Sequence, residues 1–490
     1  MSAHLPRVYG DPDGPDSRVP EPERVAAADF GPSLAQRLAA AGARLLHLTW
    51  VPEIPGGPRA DGAAGFVLAI YEDADGFAAL AAPDDAPARP SRAGVGAALA
   101  EERRLERQGL AWAEPAPEPA VLGRGVFTFP LGPVRGDVAE SAAWRLEVMG
   151  DEVLALRLRF GYKSRHLEEQ LSSAGPFDGV DLAERVTGTS PVAHAWAFAA
   201  AWEAALDVRV PPTAVYWRSV LSELERLHSH LGDLAALANS TGLPAAAAEL
   251  YVLREGVLRL NLRLTGHRYL RGVLGVGGLR RPMDSVPDLA PALRDIRRRF
   301  VANIVQLDRS MSFLDRLHGA GRVPRAEADA LLPVGPVGRA CGLSFDLRHD
   351  RPYGLYAMVG APDRAVVPAG DAWARYRVRV MEVNATVAWL LERLAAGVSG
   401  GPPVAAGGLS GLAGRGVDAG MRLGRVEGPR GEIVYVVWPG RPGQRTWVRV
   451  RPASAVNWAL VPPAVAEGNV LQDVPIIDAS FSLSVSAVDR

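Results

Sequence analysis

Residues 184–194 read Glu-Arg-Val-Thr-Gly-Thr-Ser-Pro-Val-Ala-His, and the rest of the chain is best interpreted from this stretch. Two hydroxyl side chains, Thr187 and Ser190, stand at the C-x-x-C spacing at which paired thiolates bind metals. A hydroxyl stays protonated near neutral pH and is a hard ligand, so it binds poorly to a metal that thiolates select. The stretch therefore has the spacing of a metal-binding loop without its ligands.

The composition is that of an ordinary globular protein. The chain has 490 residues, of which 48% are hydrophobic and 22% charged, so it can form two or more domains with sizeable cores. The formal net charge is −1 and no basic patch stands out, so we expect no nucleic-acid partner. The single cysteine, Cys341, excludes an internal disulfide and any iron–sulfur cluster ligated only by cysteines of this chain.

No apolar run reaches the length of about 18 residues that a transmembrane helix requires. The N-terminus is acidic and rich in proline, unlike a signal peptide, which begins with basic residues and an apolar stretch. We therefore predict a cytoplasmic chain whose association with a membrane depends on partner subunits.

Composition and periodicity predict an α+β protein with two domains. Residues 1–30, rich in Pro, Asp and Glu, are predicted to lack fixed structure. A small α+β domain is predicted over 31–112, and a linker over 113–122 joins it to a mainly helical domain with small antiparallel sheets over 123–490. The small domain is predicted to contain a helix over 33–48, a strand over 65–71 and a helix over 101–107.

The larger domain shows helical and strand periodicities in turn. Between residues 213 and 241, apolar residues recur every three or four positions, which is typical of a helix packed on a core. Further helices are predicted over 245–273, 288–318 and 371–396. Strands are predicted over 125–129, 144–148 and 153–158, and a late hairpin over 432–437 and 446–450.

Several short blocks beyond residue 120 accompany the 184–194 stretch. They are, in chain order, 160–168 (FGYKSRHLE), 221–231 (LSELERLHSHL), 277–281 (GGLRR), 335–342 (GPVGRACG), 346–348 (DLR), 351–353 (RPY), 424–432 (GRVEGPRGE) and 451–458 (RPASAVNW). Each block alone is a weak pattern. Their order along the chain makes a chance match improbable.

In this order, the blocks resemble the large subunits of nickel–iron hydrogenases and their cysteine-free relative, the D (49 kDa) subunit of respiratory complex I. The closest likeness in kind is to membrane-bound [NiFe]-hydrogenases and formate hydrogenlyase. The resemblance implies a hydrogenase large-subunit-like fold for residues 123–490. By position and length, it also implies that residues 31–112 are a degenerate counterpart of the complex I C subunit.

The departures from these families bear on function. The hydrogenase element R-x-C-G-x-C-P-x-A-H carries two thiolates that are Thr187 and Ser190 here, and the second C-x-x-C is absent from residues 477–484. The sequence therefore argues against a hydrogenase. Complex I relatives use a histidine in the loop that corresponds to residues 132–137, where this chain has Arg135. That difference argues against ordinary quinone chemistry.

The resemblance also implies roles for four side chains. Tyr162 corresponds to the tyrosine that donates a hydrogen bond to a quinone headgroup, and its alternative role is packing beneath a helix. Arg165 and His230 correspond to positions near the terminal iron–sulfur cluster of a neighbouring subunit, whose potential a nearby charge would raise. For His230, the alternative is a buried core histidine. Arg185 is expected to face the vacated metal pocket.

Three other residues are expected to play no chemical role. His228 lies two positions from His230 on the predicted helix, and we predict that it is a surface residue. His194 is expected to orient backbone or cap a helix. Cys341 is expected to be a small buried residue, since no partner pattern of a nucleophile surrounds it.

The resemblance implies the large subunit of a membrane-associated redox complex. It would pass electrons from a [4Fe-4S] cluster in a partner subunit to an acceptor such as a quinone, and would bind no cofactor by itself. The implied partners are an iron–sulfur small subunit like the complex I B subunit and antiporter-like membrane subunits, on the inner face of the cell membrane. The alternative is a redox-inactive scaffold subunit of such a complex.

Overall fold

The structure, a computed structural model, describes most of the chain. The described residues are 18–19, 22–25, 29–41, 44–51, 66–72, 77–83, 123–134, 140–283, 287–397, 416–418, 420–440, 446–466 and 468–490. The predicted helix over 101–107 and the predicted linker over 113–122 lie outside these residues, so the predicted domain boundaries stay predictions.

The N-terminal part forms a four-stranded sheet with one helix. Its elements are β1 (Glu23–Arg24), α1 (Phe30–Ala41), β2 (Arg44–Val51), β3 (Phe66–Glu72) and β4 (Phe77–Pro83). The strand order is β1-β4-β3-β2, in which β2, β3 and β4 are antiparallel neighbours and β1 runs parallel to β4. Phe30 and Leu34 of α1 cover one face of this sheet.

This region differs from the prediction in two places. The helix predicted over 33–48 ends at Ala41, and residues 44–51 form a strand. The strand has a register irregularity between Leu45 and His47 and is buried on both faces. Its apolar residues therefore do not alternate along the sequence, and their spacing resembles that of a helix. Within residues 1–30, predicted to lack fixed structure, Glu23–Arg24 pair with β4 and Val19 is buried.

The larger part is mainly helical, as predicted. Its helices are α2 (Leu167–Ala183), α3 (Pro191–Ala205), α4 (Pro212–Ser240), α5 (Pro244–Thr265), α6 (Leu289–Asp308), α7 (Met311–Leu317), α8 (Arg325–Leu331), α9 (Gly335–Ala340), α10 (Leu347–Asp350), α11 (Tyr356–Val359), α12 (Ala372–Ala396), α13 (Ala453–Asn457), α14 (Val461–Ala466) and α15 (Val474–Phe481). Short 3-10 helices lie at Trp458–Leu460 and Leu471–Asp473. The central helix α4 packs against α5, α12 and α15.

Two predicted helices end earlier than their apolar periodicity suggests. The helix predicted over 245–273 stops at Thr265, because Gly266 takes a left-handed conformation with φ 71°. The helix predicted over 288–318 is divided into α6 and α7 around Ser310, whose backbone is extended. The predictions for 213–241 and 371–396 are confirmed by α4 and α12.

Three small antiparallel sheets complete the larger part. The strands are β5 (Val126–Leu131), β6 (Ala143–Met149), β7 (Glu152–Arg159), β8 (Leu274–Gly275), β9 (Gly278–Leu279), β10 (Arg422–Gly428), β11 (Gly431–Trp438) and β12 (Trp447–Arg451). They pair in the orders β5-β6-β7, β8-β9 and β10-β11-β12. The strands predicted over 125–129, 144–148 and 153–158 and the late hairpin are confirmed, whereas the β8-β9 pair was not predicted. Strand β10 was not predicted, because its residues do not alternate between apolar and polar types.

The sheet β10-β11-β12 lies between two cores. One face contributes Val426, Ile433 and Tyr435 to the main core, against α3 among other elements. The opposite face contributes Leu423 and Val434 to a second core, shared with the N-terminal sheet. The N-terminal sheet and the larger part are therefore joined by a common hydrophobic core. Among the described residues, no helix combines the length and apolarity needed to cross a bilayer.

Candidate functional site

Three segments meet at one end of the larger part: the loop 160–166 after β7, the loop 184–190 before α3, and the C-terminal residues 482–490. The Asp489 carboxylate accepts hydrogen bonds from the backbone N–H of Gly161 at 2.6 Å and of Lys163 at 3.1 Å. The Arg165 amide donates to the carbonyl oxygen of Asp489 at 3.2 Å. The C-terminus therefore fixes the loop that carries two of the predicted site residues.

Arg165 holds these three segments together. One guanidinium nitrogen, Nη2, donates to the carbonyl of Val186 at 2.8 Å and to that of Ser486 at 2.9 Å. The other terminal nitrogen, Nη1, donates to the carbonyl of Arg185. Burial lowers the pKa of the guanidinium. The structure thus brings Arg165 and Arg185 together, although Arg165 contacts the backbone of Arg185 rather than its side chain.

Tyr162 and Arg185 present their side chains to the surface. The Tyr162 side chain is 40% exposed, and its hydroxyl makes no hydrogen bond to any residue that the structure describes. The guanidinium carbon of Arg159 lies 5.9 Å from the centre of its ring. Arg185 is exposed and donates to the carbonyl of Asp181. Both side chains are free to meet a molecule that approaches this surface.

The hydroxyl residues at C-x-x-C spacing lie inside the protein. Thr187 is 5% and Ser190 4% exposed, and the Thr187 hydroxyl has no hydrogen-bond partner in the described part of the chain. Pro191 begins α3 directly after the loop, and the carboxylate of Glu225 on α4 accepts from the N–H groups of Val192 at 2.6 Å and of Ala193 at 3.1 Å. Glu225 thereby anchors the first turn of α3, and with it the end of the 184–190 loop that leads into this helix.

Arg430 connects this loop to its surroundings. Its Nη1 donates to the hydroxyl of Thr189 at 2.6 Å and to that of Ser229 at 3.2 Å. Its Nη2 donates to Asp233 at 3.1 Å, and its Nε donates to the carbonyl of Ser482. One cation thus joins the 184–190 loop, helix α4 and the C-terminal segment. In the sequence, Arg430 stands out only as a member of the 424–432 block, and its role was not predicted.

His230 lies in the interior, two contacts away from Arg430. It is fully buried, and its Nε2 lies 2.7 Å from a carboxylate oxygen of Glu382. Its Nδ1 lies 4.0 Å from Asp233, the residue that pairs with Arg430. Burial raises the pKa of Asp233, but Arg430 and His230 outweigh it and hold that pKa well below its usual range. His230 is therefore linked to the loop through Asp233 and Arg430.

The ion pairs continue from Glu382 into a buried charged network. Arg339 donates to Glu382 at 2.6 Å and lies 3.2 Å from Glu427 and 3.4 Å from Asp346. Burial lowers the pKa of Arg339, but the surrounding carboxylates raise it above its ordinary value. Arg348 extends the network from Asp346 to Glu223. Four of the motif blocks, 221–231, 335–342, 346–348 and 424–432, thus meet in one interior network with Glu382.

Two histidines differ from the prediction. His228, predicted at the surface, is fully buried, and its ring meets that of Tyr269 edge to face with 5.9 Å between centres. The prediction was wrong because α4 is surrounded by packed elements and has no solvent-facing side at this point. His194 does not cap a helix; its Nδ1 lies 3.0 Å from the hydroxyl of Tyr435. Cys341 is 3% exposed, and burial raises its pKa to about 11, as expected of a small buried residue.

Burial of His228 makes stability depend on pH. Burial, and then Arg254, lower its pKa from 6.5 to about 3, so the folded protein keeps the ring neutral where the unfolded chain binds a proton. The contribution of the neutral ring to the free energy of unfolding is fully present above about pH 6.5 and is lost as pH falls towards 3. Between pH 7 and pH 5, the wild type should lose about 2 kcal/mol relative to His228→Gln.

Urea unfolding of both proteins at the two pH values measures this difference. The comparison with the variant is needed because other groups change stability with pH in the opposite sense. Burial raises the pKa of Glu184 to about 7, for example, so that this group stabilises the folded protein as pH falls. His166→Asn is the matched control, since the His166 side chain is 70% exposed and its φ of 50° suits asparagine. Equal pH dependence of the wild type and His228→Gln would contradict the prediction.

Arg135, which we predicted to take the place of the histidine of complex I relatives, lies outside the described residues. The structure therefore does not place this part of the predicted quinone site. The remaining predicted residues divide into two groups: Tyr162, Arg165 and Arg185 lie at the surface junction, and His230 lies inside the protein.

Comparisons with known proteins agree with the motif order. The model of the family "Respiratory-chain NADH dehydrogenase, 49 Kd subunit" matches residues 242–404. The carbon monoxide-induced hydrogenase of Rhodospirillum rubrum is 26% identical over 377 residues, which cover 74% of this chain and 99% of that protein. Formate hydrogenlyase subunit 5 of Escherichia coli K12 is 29% identical over 367 residues, which cover 74% of this chain and 62% of that protein.

A solved structure shows the same fold. It is the structure of the membrane-bound sulfane sulfur reductase, an archaeal respiratory membrane complex. One of its chains superposes with a TM-score of 0.69 at 23% identity, covering 76% of this chain and 100% of that chain. The chain is thus similar to subunits of the complex I and hydrogenase large-subunit type. The resemblance predicted from the motifs is confirmed.

Proposed function

We propose that this chain is the large subunit of a membrane-associated redox complex related to complex I and to energy-converting hydrogenases, and that it works without a nickel–iron site. Electrons from an iron–sulfur cluster in a partner subunit would leave to an acceptor such as a quinone at the junction of loops 160–166, 184–190 and the C-terminal segment. The similarity to the 49 kDa subunit and to formate hydrogenlyase subunit 5 supports this assignment.

The missing thiolates of the 184–190 loop carry the metal-free part of the proposal. A site that selects nickel needs thiolates, whereas the loop offers the hydroxyls of Thr187 and Ser190, and the one cysteine lies elsewhere, after α9. The guanidinium of Arg430 binds Thr189 and the carbonyl of Ser482, so a fixed positive charge joins the loop to the C-terminal segment. Asp233 pairs with this cation at 3.1 Å, so the missing thiolates, rather than the charge of Arg430, make the loop unsuitable for nickel. These residues do not fit a nickel–iron centre.

The surface junction suits an acceptor with carbonyl oxygens. The exposed Tyr162 hydroxyl can donate a hydrogen bond to such an oxygen, and Arg185 adds positive charge on the adjoining 184–190 loop. Arg165 positions both, because it ties loop 160–166 to the backbone of Arg185 and Val186. Inside the protein, His230 and Asp233 connect the junction with the charged network and would adjust the charge near a partner's cluster.

The proposal extends to partners and location. An iron–sulfur small subunit of the complex I B type would cover the surface junction, and antiporter-like membrane subunits would hold the assembly at the inner face of the cell membrane. The structural neighbour is a chain of a respiratory membrane complex, which supports an assembly of this kind.

The metal content of the native assembly tests the proposal. We expect the complex, purified through a tag on this chain, to contain iron at cluster stoichiometry and no nickel. Stoichiometric nickel would overturn our interpretation of Thr187 and Ser190. A complex with neither metal would favour a scaffold role.

A conservative change at Tyr162 tests the acceptor site. Tyr162→Phe should lower quinone-dependent turnover of the complex about tenfold, the value of one hydrogen bond of roughly 1.4 kcal/mol in the transition state. Stability should not change, because the hydroxyl bonds to no described residue. Tyr251→Phe is the matched control, since Tyr251 on α5 is 42% exposed. Unchanged turnover in Tyr162→Phe would exclude the tyrosine from the reaction.

A scaffold subunit is the second candidate, and the contacts of Arg165 favour it. Its guanidinium donates to the carbonyls of Arg185, Val186 and Ser486, so it acts as a structural clamp. His230 is likewise held by Glu382. A complex that keeps its composition but shows the same electron transfer with Tyr162→Phe and with wild type would support the scaffold.

A further inference from the structure

Three buried polar atoms between α4 and α12 have no hydrogen-bond partner among the described residues. They are Nδ1 of His230, Oδ2 of Asp233 and Nε of Arg379. Oδ2 lies 4.0 Å from Nδ1 of His230 and 3.5 Å from Nε of Arg379. The three residues are 0%, 9% and 3% exposed. Unsatisfied atoms therefore gather around one carboxylate oxygen in the interior, where a polar atom without a partner is costly.

The other polar atoms of Asp233 and Arg379 are fixed by further contacts. Oδ1 of Asp233 accepts a hydrogen bond from Arg430 at 3.1 Å. Nη1 of Arg379 donates to the carbonyl of Ser480 at 2.8 Å, and Nη2 donates to that of Phe481 at 3.1 Å. Neither side chain can turn towards the imidazole without giving up these contacts. The separation of the three atoms is therefore set by the surrounding structure.

The far side of the imidazole fixes the position of its ring proton. Nε2 of His230 lies 2.7 Å from one carboxylate oxygen of Glu382, and the other oxygen accepts from Arg339 at 2.6 Å. An ionised carboxylate only accepts hydrogen bonds, so this contact assigns the proton of the neutral ring to Nε2. Nδ1 is then an acceptor, as is Oδ2 of Asp233, and neither atom can donate to the other.

We infer that His230, Asp233 and Arg379 bind one water molecule in common, and that this water passes protons between Asp233 and His230. A water can donate one hydrogen to Nδ1 and the other to Oδ2, while its oxygen accepts from the Nε–H of Arg379. Two hydrogen bonds of about 2.8 Å at a near-tetrahedral angle span about 4.5 Å. The 4.0 Å between Nδ1 and Oδ2 is within that reach.

The proton transfer begins with a solvent proton that binds Oδ2 of Asp233. As this O–H bond breaks, the proton joins the water, and the water releases one of its own hydrogens to Nδ1 of His230. The products are an imidazolium, the original carboxylate and an unchanged water. Asp233 pairs with Arg430 beside the 184–190 loop, whereas His230 is completely enclosed. The inference does not depend on the proposed redox function, since it needs only these side chains and water.

A crystal structure of the full wild-type chain, at a resolution that shows ordered waters, tests the binding site. We expect one water within about 3.2 Å of Nδ1 of His230, Oδ2 of Asp233 and Nε of Arg379. A structure without a water at this place, or with a direct hydrogen bond between Nδ1 and Oδ2, would overturn the inference. Because it uses the wild type, this measurement decides the matter even where a variant does not fold.

Asp233→Asn tests the proton transfer and keeps the shape of the side chain. Its amide can still accept from Arg430 and bond to the water, but it cannot carry a proton as a carboxylate does. Exchange of the His230 ring proton with D₂O, followed by NMR of ¹⁵N-histidine-labelled protein, should slow at least about tenfold, since positioned groups speed proton transfer by about 10²–10⁴-fold. His230→Gln assigns the signal.

Asp308→Asn is the matched control for this exchange measurement. Asp308 of α6 pairs with Arg377 of α12 at 2.9 Å, so the variant also removes a carboxylate from an arginine. We expect the exchange of the His230 ring proton to be unchanged in this variant. Equal exchange rates in the wild type and Asp233→Asn, or equal slowing in both variants, would overturn the inference.

Discussion

Arg339→Met is expected to lower the free energy of unfolding by about 3–5 kcal/mol, the usual cost of leaving buried charges without their partner. The guanidinium is fully buried among Glu382, Glu427 and Asp346. Burial and Asp346 already raise the pKa of Glu427 to about 7 while Arg339 is present. Without the cation, at least one carboxyl group must take up a proton or the network must open.

Urea unfolding of the full chain, followed by circular dichroism, measures this loss. Arg325→Met is the matched control, since Arg325 pairs with Asp329 on the surface of α8 with side chains 59% and 53% exposed. An exposed pair of this kind is worth about 0–1 kcal/mol. A similar small loss in both variants would show that the interior network does not depend on Arg339.

Gly424→Ala is expected to destabilise the protein by at least about 3 kcal/mol, at or above the upper end of the usual cost of overpacking. A Cβ atom at this position would lie 1.8 Å from the carbonyl oxygen of Ala197 and 2.8 Å from the amide nitrogen of Ala201. Both atoms belong to the backbone of α3, so no side-chain rotation can relieve the contact. Strand β10 would have to move away from α3.

That movement should also affect the site, because β10 leads directly into the turn that carries Arg430. Thermal unfolding and the metal content of the complex should therefore both be measured. Gly188→Ala is the control, since nothing lies within 4 Å of the new Cβ atom, and we expect a change of no more than about 1 kcal/mol. Normal stability of Gly424→Ala would mean that the close approach of β10 to α3 is wrong.

The N-terminal sheet shows one limit of sequence interpretation. Periodicity predicted a helix over 33–48, but residues 44–51 form a strand with Leu46 on one core and Leu48 on another. A strand covered on both faces loses the alternation that identifies strands. One of the two cores that cover this strand is shared with the sheet β10-β11-β12. Glu432 of that sheet, which pairs with Arg44, lies 388 positions further along the chain.

The candidate site shows another limit. Motif order located the segments that contain Tyr162, Arg165, Arg185 and His230, and the structure brings the first three to one surface junction. The motifs did not indicate that Arg165 would bind carbonyls, or that Arg430 would connect Thr189 with Ser482. Such contacts depend on the relative placement of segments that are far apart in sequence.

The sequence by itself determined the α+β class, the long helix α4, the hairpins and the lack of thiolates in the 184–190 loop. These properties depend on residue type and on neighbours a few positions apart, where helical and strand periodicities act. Only the tertiary structure decided that His228 is buried, that the N-terminal sheet shares a core with β10-β11-β12, and that Arg339 and Arg430 join distant segments. Burial and ion pairing are set by what packs against a residue, and that partner is fixed by the fold as a whole.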